Sequence, residues 1–285
     1  MTTLFVNCLT VIDASLLDPD RGLIGQSWML DVELEGSLDW QGMVIDFGTV
    51  KKQIKQCVDE EFDHRLLIPD AYSGCRVEDR GENSAVYFQL ASGATIEYRG
   101  PADACARIDT ELLDEAALTD AIRRRLAPTL PDNVHRLGLQ LRTEKIRGAS
   151  YQYSHGLRHH GGNCQRIAHG HRSRIQIFRD GRRSPELESD WALRWKDIYI
   201  GVRADLKKSF AGDCTRYCQF GYSAPQGSFE LILPERSCYL IDTDSTVENL
   251  ARHICRTLKL EHPASAFRVV AFEGVAKGAI SESED

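Results

Sequence analysis

The chain has 285 residues, 42% of them hydrophobic and 27% charged, with a formal net charge of −7. That is a soluble globular composition, with enough apolar residues for one large domain or two of ordinary size. The acidic balance argues against a general nucleic-acid binder, which needs a broad basic face to meet phosphates.

The first stretch, MTTLFVNCLTVIDASLLD, has no basic segment, and its apolar run is broken by Asn7 and Asp13. No later stretch approaches 18 consecutive apolar residues, so neither a secretory leader nor a membrane span is expected and the chain reads as cytoplasmic. Nine cysteines, an odd number without a CxxC pair, fit reduced thiols better than a disulfide framework.

The next elements read twice. GQSWMLDVELEG (25–36) and GHRSRIQIFRDG (170–181) each read as a strand running from one glycine to another. ARIDTELLDEAALTDAIRRRL (106–126) and YLIDTDSTVENLARHICRTL (239–258) share an Ile-Asp-Thr triplet followed by an amphipathic helix. Leu118, Ile122 and Leu126 match Leu250, Ile254 and Leu258, an apolar stripe at i, i+4 and i+8. In the second copy Ser245 and Glu248 have the spacing of a capping box. Each helix is followed by a β-rich segment, LGLQLRTEKI (137–146) or FRVVAFEGVA (267–276), with one acid, Glu144 or Glu273. The order in each half is strands, helix, strands or hairpin, helix, strand. This predicts an α+β protein of two related units, 1–148 and 149–285, without an evident linker and closely packed.

Five of the nine histidines fall between 155 and 171: His155, His159, His160, His169 and His171. On a strand, residues i and i+2 share a face, so His169 and His171 can aim at one point. Gly170 between them admits close approach of a ligand or another backbone. His155, in YQYSHGL, lies on a preceding segment able to pair alongside. Three neutral imidazoles with one open position make the arrangement of a catalytic zinc. The competing reading is a solvated basic strand, to which His159 and His160 belong more naturally. Cys164 sits in a turn-like GGNC segment among Arg158, Arg166 and Arg172, where a thiolate is favoured. It reads as a base or nucleophile, or as a small buried thiol.

These features resemble a family. H-x(8)-C-x(4)-HGH in the second half, DWQGMVIDFGTVKKQI followed by FDHRLLIP in the first, and FEGVAKGA near the end are similar to the 6-pyruvoyl-tetrahydropterin and 6-carboxytetrahydropterin synthases. These are zinc enzymes of the tunnelling fold, and the resemblance covers nearly the whole chain as two tandem copies. It implies antiparallel sheets with helices on one face, and barrel-forming homo-oligomers: two chains closing one ring, or three if the halves occupy stacked rings. The implied substrate is 7,8-dihydroneopterin triphosphate, a phosphorylated pterin. Zn2+ would be held by His155, His169 and His171, with Cys164 and an Asp-His pair moving protons. Glu273 would anchor the pterin, with Glu144 its counterpart.

The departures from the family pattern divide the work. In the first half the metal positions read Ser15, Ile24 and Gln26, which cannot bind zinc in the family manner, yet Asp63 and His64 remain. The second half keeps the ligands and Cys164, but no Asp-His pair follows WALRWKDIYIGVRADLKKSF. One composite site is therefore expected, with zinc and Cys164 from one unit and Asp63-His64 from the other. Arg158, Arg166, Arg172, Arg174, Arg179, Arg182 and Arg183 form an arginine-rich run whose planar forks suit phosphate oxygens; Arg158 and Arg172 are the candidates for the triphosphate. The resemblance points first to the carboxytetrahydropterin type, which serves queuosine and other deazapurine biosynthesis, then to the pyruvoyl type. A non-catalytic pterin or purine binder with a degenerate site is the reading from another class.

Overall fold

A computed structural model describes residues 1–283; the last two residues of the second unit lie outside the described chain. The first half runs β1 (Thr2–Asp18), β2 (Gly22–Gly36), α1 (Phe47–Glu61), β3 (Leu66–Pro69), β4 (Cys75–Arg80), β5 (Asn83–Gln89), β6 (Thr95–Pro101), β7 (Cys105–Ile108), α2 (Glu115–Leu126) and β8 (Val134–Arg142). The second runs β9 (Ser150–His155), β10 (His169–Arg179), β11 (Arg182–Arg183), α3 (Pro185–Arg194), β12 (Ile198–Val202), β13 (Leu206–Ala211), β14 (Arg216–Ala224), β15 (Gly227–Pro234), β16 (Cys238–Ile241), α4 (Val247–Glu261), β17 (Phe267–Phe272) and β18 (Gly278–Glu282).

Each half builds one sheet, in the order β7-β3-β1-β2-β8 and β16-β12-β9-β10-β17-β18, with β11 paired onto β10. The central hairpins β1–β2 and β9–β10 and their neighbours β8 and β17 are antiparallel, while β3 and β12 add in parallel. A parallel neighbour requires a crossover rather than a tight turn, and α1 and α3 supply it. The helices bury the stripes read from sequence: Leu118, Ile122 and Leu126 under the first sheet, Leu250, Ile254 and Leu258 under the second. Each such side chain contributes about 1.5–3 kcal/mol of burial free energy. Asp46 and Asp114 cap α1 and α2 by accepting main-chain N–H groups of the first turn.

The cap of α4 differs from expectation. Thr246 accepts the Asn249 N–H, and Ser245, one residue earlier, is fully buried and turned toward β9. The spacing of a capping box was present, but the serine is engaged elsewhere.

A third sheet, unforeseen in the sequence, joins the halves in the order β13-β14-β15-β6-β5-β4. Its seam is the antiparallel pairing of β15 with β6, where Leu231 faces Tyr98. Beneath it Phe88, Tyr98, Phe220 and Leu231 form a core drawn from both halves. All nine cysteines are free, and among the described residues no helix is long and apolar enough to cross a membrane.

The two central hairpins meet at matched positions. Ser15 pairs with Gly25 in one ladder and Ser154 with Gly170 in the other, and Ser15 Oγ hydrogen-bonds Ser154 Oγ at 2.7 Å. A Cβ on Gly25 would lie 1.8 Å from the Tyr153 carbonyl oxygen, and one on Gly170 would lie 2.5 Å from the Gly25 Cα. Both neighbours are backbone and cannot step aside. Gly25→Ala is expected to cost about 3 kcal/mol or more, since overpacking here must push the facing sheets away from each other. Denaturant unfolding checks it; a loss below about 1 kcal/mol would show that the crossing has slack.

Candidate metal and proton-transfer site

His155 ends β9, His169 begins β10, and the antiparallel ladder sets them directly opposite each other. His171 follows on the same face of β10. Ring centroids are 4.4 Å apart for His155 and His169, 5.3 Å for His155 and His171, and 5.6 Å for His169 and His171. One ring nitrogen from each lies within 4.8 Å of the others. The three side chains are 0%, 0% and 1% exposed, which excludes a solvated strand for them. His159 and His160 are the exposed members, and His159 pairs with Asp244 at 2.9 Å.

The tautomers follow from the acceptors. His155 Nδ1 lies 3.1 Å from the Ser245 carbonyl oxygen and 3.0 Å from its hydroxyl, and His169 Nδ1 lies 3.0 Å from the Arg166 carbonyl oxygen. A carbonyl only accepts, so each Nδ1 carries the proton and each Nε2 presents a lone pair. Nε2 of His155, His169 and His171 is buried without a hydrogen-bond partner in all three rings. Three buried, unpartnered Nε2 atoms in rings that group a nitrogen each within 4.8 Å fit a tetrahedral cation with one open position, and the outer contacts of His155 and His169 to carbonyls are what metal-binding imidazoles require.

Burial, then the neighbouring imidazoles, pushes His155 and His169 well below the ordinary histidine value, so both are neutral and able to ligate. His64 goes the other way. Burial disfavours its imidazolium, but the Asp63 carboxylate and the Cys164 sulfur outweigh it and raise its pKa to about 10. The signs give a pH profile for the metal-free protein. His155 and His169 destabilise increasingly as pH falls below 6.5, because only the unfolded chain takes up their protons. The His64 contribution is complete below 6.5 and is lost as pH rises toward about 10. The denaturation midpoint of the metal-free chain is expected to peak near pH 6.5; a flat profile between about pH 5 and 9 would contradict these assignments.

Asp63 and His64 lie between α1 and β3, in the other half of the chain. His64 Nδ1 is 2.6 Å from Asp63 Oδ2, and its ring centroid is 5.1 Å from that of His169 and 6.3 Å from that of His171. Cys164 lies in a 3-10 turn, Asn163–Gln165, and its sulfur groups with a ring nitrogen of His64 and of His169 within 4.8 Å. The structure thus brings Cys164, the three histidines and the Asp63-His64 pair together inside a single chain. His64 adopts a left-handed backbone with φ of 53°, braced by its N–H donating to the Asp13 carbonyl and by Arg166 Nη1 donating to its own carbonyl.

Asp13, Ser245 and Lys277 are the residues the sequence reading did not place here. Asp13 is almost fully buried, with Oδ1 2.5 Å from Ser27 Oγ and 3.2 Å from His171 Nδ1, and Oδ2 3.4 Å from Lys277 Nζ. Burial by itself would raise its carboxyl, but His171, Lys277 and Ser27 outweigh this and hold it well below the usual carboxylate range. The available signal was an acid inside the apolar run LTVIDASLL, where alternation leaves no reason for one.

Several expected residues fall differently. Arg172 alternates with the histidines on β10 and so leaves by the other face, where Nη1 donates to the Glu144 carbonyl at 2.9 Å. Arg158 is held by Asp205 at 2.8 Å. Neither guanidinium is free for a triphosphate as placed. Glu144 lies 3.4 Å from Arg174. Glu273 follows the end of β17, with Lys277 Nζ 3.6 Å from its Oε2. The ladders pair Leu30 with Leu141 and Ile175 with Ala271, so the step of Glu273 is taken by Thr143, and Glu144 stands one residue further on.

The same registers correct the first-half metal positions. His155 opposes His169 as Leu16 opposes Ile24, so the counterparts of the three histidines are Leu16, Ile24 and Gln26; Ser15 corresponds to Ser154. Asp197, with φ of 54°, takes the place of His64. Arg21 lies 3.0 and 2.5 Å from its two carboxylate oxygens, and 2.6 Å from Gln152 Oε1. An ion pair therefore stands at the related position, where the other holds His64.

Comparisons with known proteins place the chain in a family. The 6-pyruvoyl tetrahydropterin synthase family profile matches residues 12–101 and 145–283, in two stretches as tandem copies require. A 6-carboxy-5,6,7,8-tetrahydropterin synthase of Rickettsia felis is 34% identical over 70 residues, 24% of this chain and 51% of the relative; that of Rickettsia conorii matches equally. The chain spans about half the length of these curated relatives. Among solved structures, the 6-pyruvoyl tetrahydropterin synthase of Plasmodium falciparum superposes with a TM-score of 0.41 at 16% identity, over 49% of this chain and 90% of that one. The Plasmodium vivax enzyme gives 0.37 at 16% identity, over 50% and 97%. With its profile matched across both halves, the chain belongs to the 6-pyruvoyl tetrahydropterin synthase family, as two tandem copies of the tunnelling fold.

Proposed function

We propose that this protein is a zinc-dependent pterin synthase acting on 7,8-dihydroneopterin triphosphate, of the 6-carboxytetrahydropterin type. Its two units are taken as 1–148 and 149–285. The observation that carries this reading is the trio of buried, unpartnered Nε2 atoms beside Cys164 and His64. His155, His169 and His171 would hold Zn2+, which when bound supplies a Lewis acid that lowers the pKa of the substrate's side-chain hydroxyls.

The remaining chemistry belongs to the protein. Cys164 Sγ takes a proton from the side chain of the substrate, and His64 Nε2 relays or returns one, with Asp63 fixing Nδ1 and the ring orientation. Glu273 offers a carboxylate for the amino and ring N–H groups of a pterin, a bidentate match that requires Lys277 to yield one oxygen. Lys277 is then the cation placed to meet an anionic group of the substrate. The identity of the Rickettsia relatives favours the carboxy type. A homo-oligomer in the cytoplasm is the expected setting, with unpaired strand edges such as β8 available for closure.

Turnover of dihydroneopterin triphosphate by metal-replete protein, with product identification, tests the reading. Release of acetaldehyde supports the carboxy type, a pyruvoyl product moves the protein to the sister activity, and absence of turnover overturns both in favour of a binding role.

A further inference from the structure

We infer that Asp13, from the half of the chain that has no metal ligands, is the positioning carboxylate for the metal-binding His171. The inference rests on the zinc reading above and extends it. His155 and His169 have Nδ1 fixed by acceptors of their own half, Ser245 and Arg166. His171 has none there: neither of its ring nitrogens has a well-aligned partner, and the acceptor beside Nδ1 is Asp13 Oδ1 at 3.2 Å. Nδ1 must carry the proton if Nε2 is to ligate, so this ring needs an acceptor, and only the facing half supplies it.

Asp13 is itself fixed on every side. Ser27 Oγ donates to Oδ1 at 2.5 Å, and Lys277 Nζ lies 3.4 Å from Oδ2. The Asp13 N–H donates to Asp63 Oδ1 at 2.8 Å, and its carbonyl accepts the His64 N–H at 2.8 Å. One residue therefore registers the ligand His171 against the Asp63-His64 pair. It also gives the first half a role in metal retention, beyond the Asp63-His64 pair, although that half holds none of the ligands.

The test is zinc affinity, measured by chelator competition on the full chain, for wild type, Asp13→Asn and Asp13→Ala. Loss of an outer carboxylate weakens metal binding about 10–100-fold, with the alanine variant the worse. Wild type holding one zinc per chain with both variants within about twofold of it would overturn the Asp13 assignment alone. Wild type holding no zinc would overturn the metal reading and this inference with it. Should the variants fail to fold, the ring tautomer of His171 in zinc-loaded wild type decides, read from long-range 15N–1H couplings. A proton on Nδ1 with the metal on Nε2 supports the assignment, and the reverse sinks it.

Discussion

On the proposed function, His169→Ala is expected to abolish stoichiometric zinc binding and to lower turnover of dihydroneopterin triphosphate by about 10³-fold or more, since a Lewis-acid metal is worth several kcal/mol of barrier. His169 is the ring at the centre of the site: its Nε2 is one of the three orphaned atoms, and its sulfur and imidazole neighbours are Cys164 and His64. The fold should survive the change, because the side chain leaves no acceptor stranded other than the Arg166 carbonyl. His159→Ala is the matched control. That residue is exposed and pairs with Asp244, so metal content and rate should stay within about twofold, the surface ion pair being worth at most about 1 kcal/mol. Equal zinc content in the two variants, by elemental analysis, would remove the metal site from these histidines.

Losses of about 10²–10⁴-fold in kcat are expected for His64→Ala and for Cys164→Ala taken separately, the usual range for a positioned acid or base. The informative step is to mix them. The sulfur and the ring nitrogens group within 4.8 Å inside one chain, although His64 comes from the first half and Cys164 from the second. Each mutant chain therefore keeps a broken site whatever its partner carries, and mixing should restore nothing. Recovery of a substantial fraction of wild-type activity would show that the working site forms between chains, with the intrachain arrangement serving only to fold the protein.

The histidine trio was legible because its logic is local. Strand periodicity alone puts His169 and His171 on one face, and a preceding apolar segment ending in His155 has to pair somewhere nearby. The helical stripes were legible for the same reason, at period 3.6. What failed was register and direction. Ser15 was matched to His155 where Leu16 belongs, a slip of one residue that sequence similarity cannot detect and that exchanges the faces of a strand. Arg172 reads as a phosphate candidate from its place in an arginine-rich run; adjacent strand residues point to opposite sides, and its guanidinium lies away from His171, on the Glu144 carbonyl. Ser245 carried a capping signature while its hydroxyl and carbonyl were needed by His155, ninety residues earlier.

The sequence by itself determined the class of fold, the tandem repetition and the clustering of His155, His169 and His171. These follow from residue type and short-range periodicity, which the chain carries in every conformation; the split between a half with three histidines and a half with Asp63-His64 was read from the family resemblance. Only the tertiary structure decided that Cys164, the three histidines and Asp63-His64 come together within one chain, because that depends on the glycine crossing of Gly25 with Gly170 and on the shared sheet at β15–β6. It also decided that Asp13 faces His171 and that Arg21 pairs with Asp197 at the related position, long-range contacts between the two halves that no local pattern encodes.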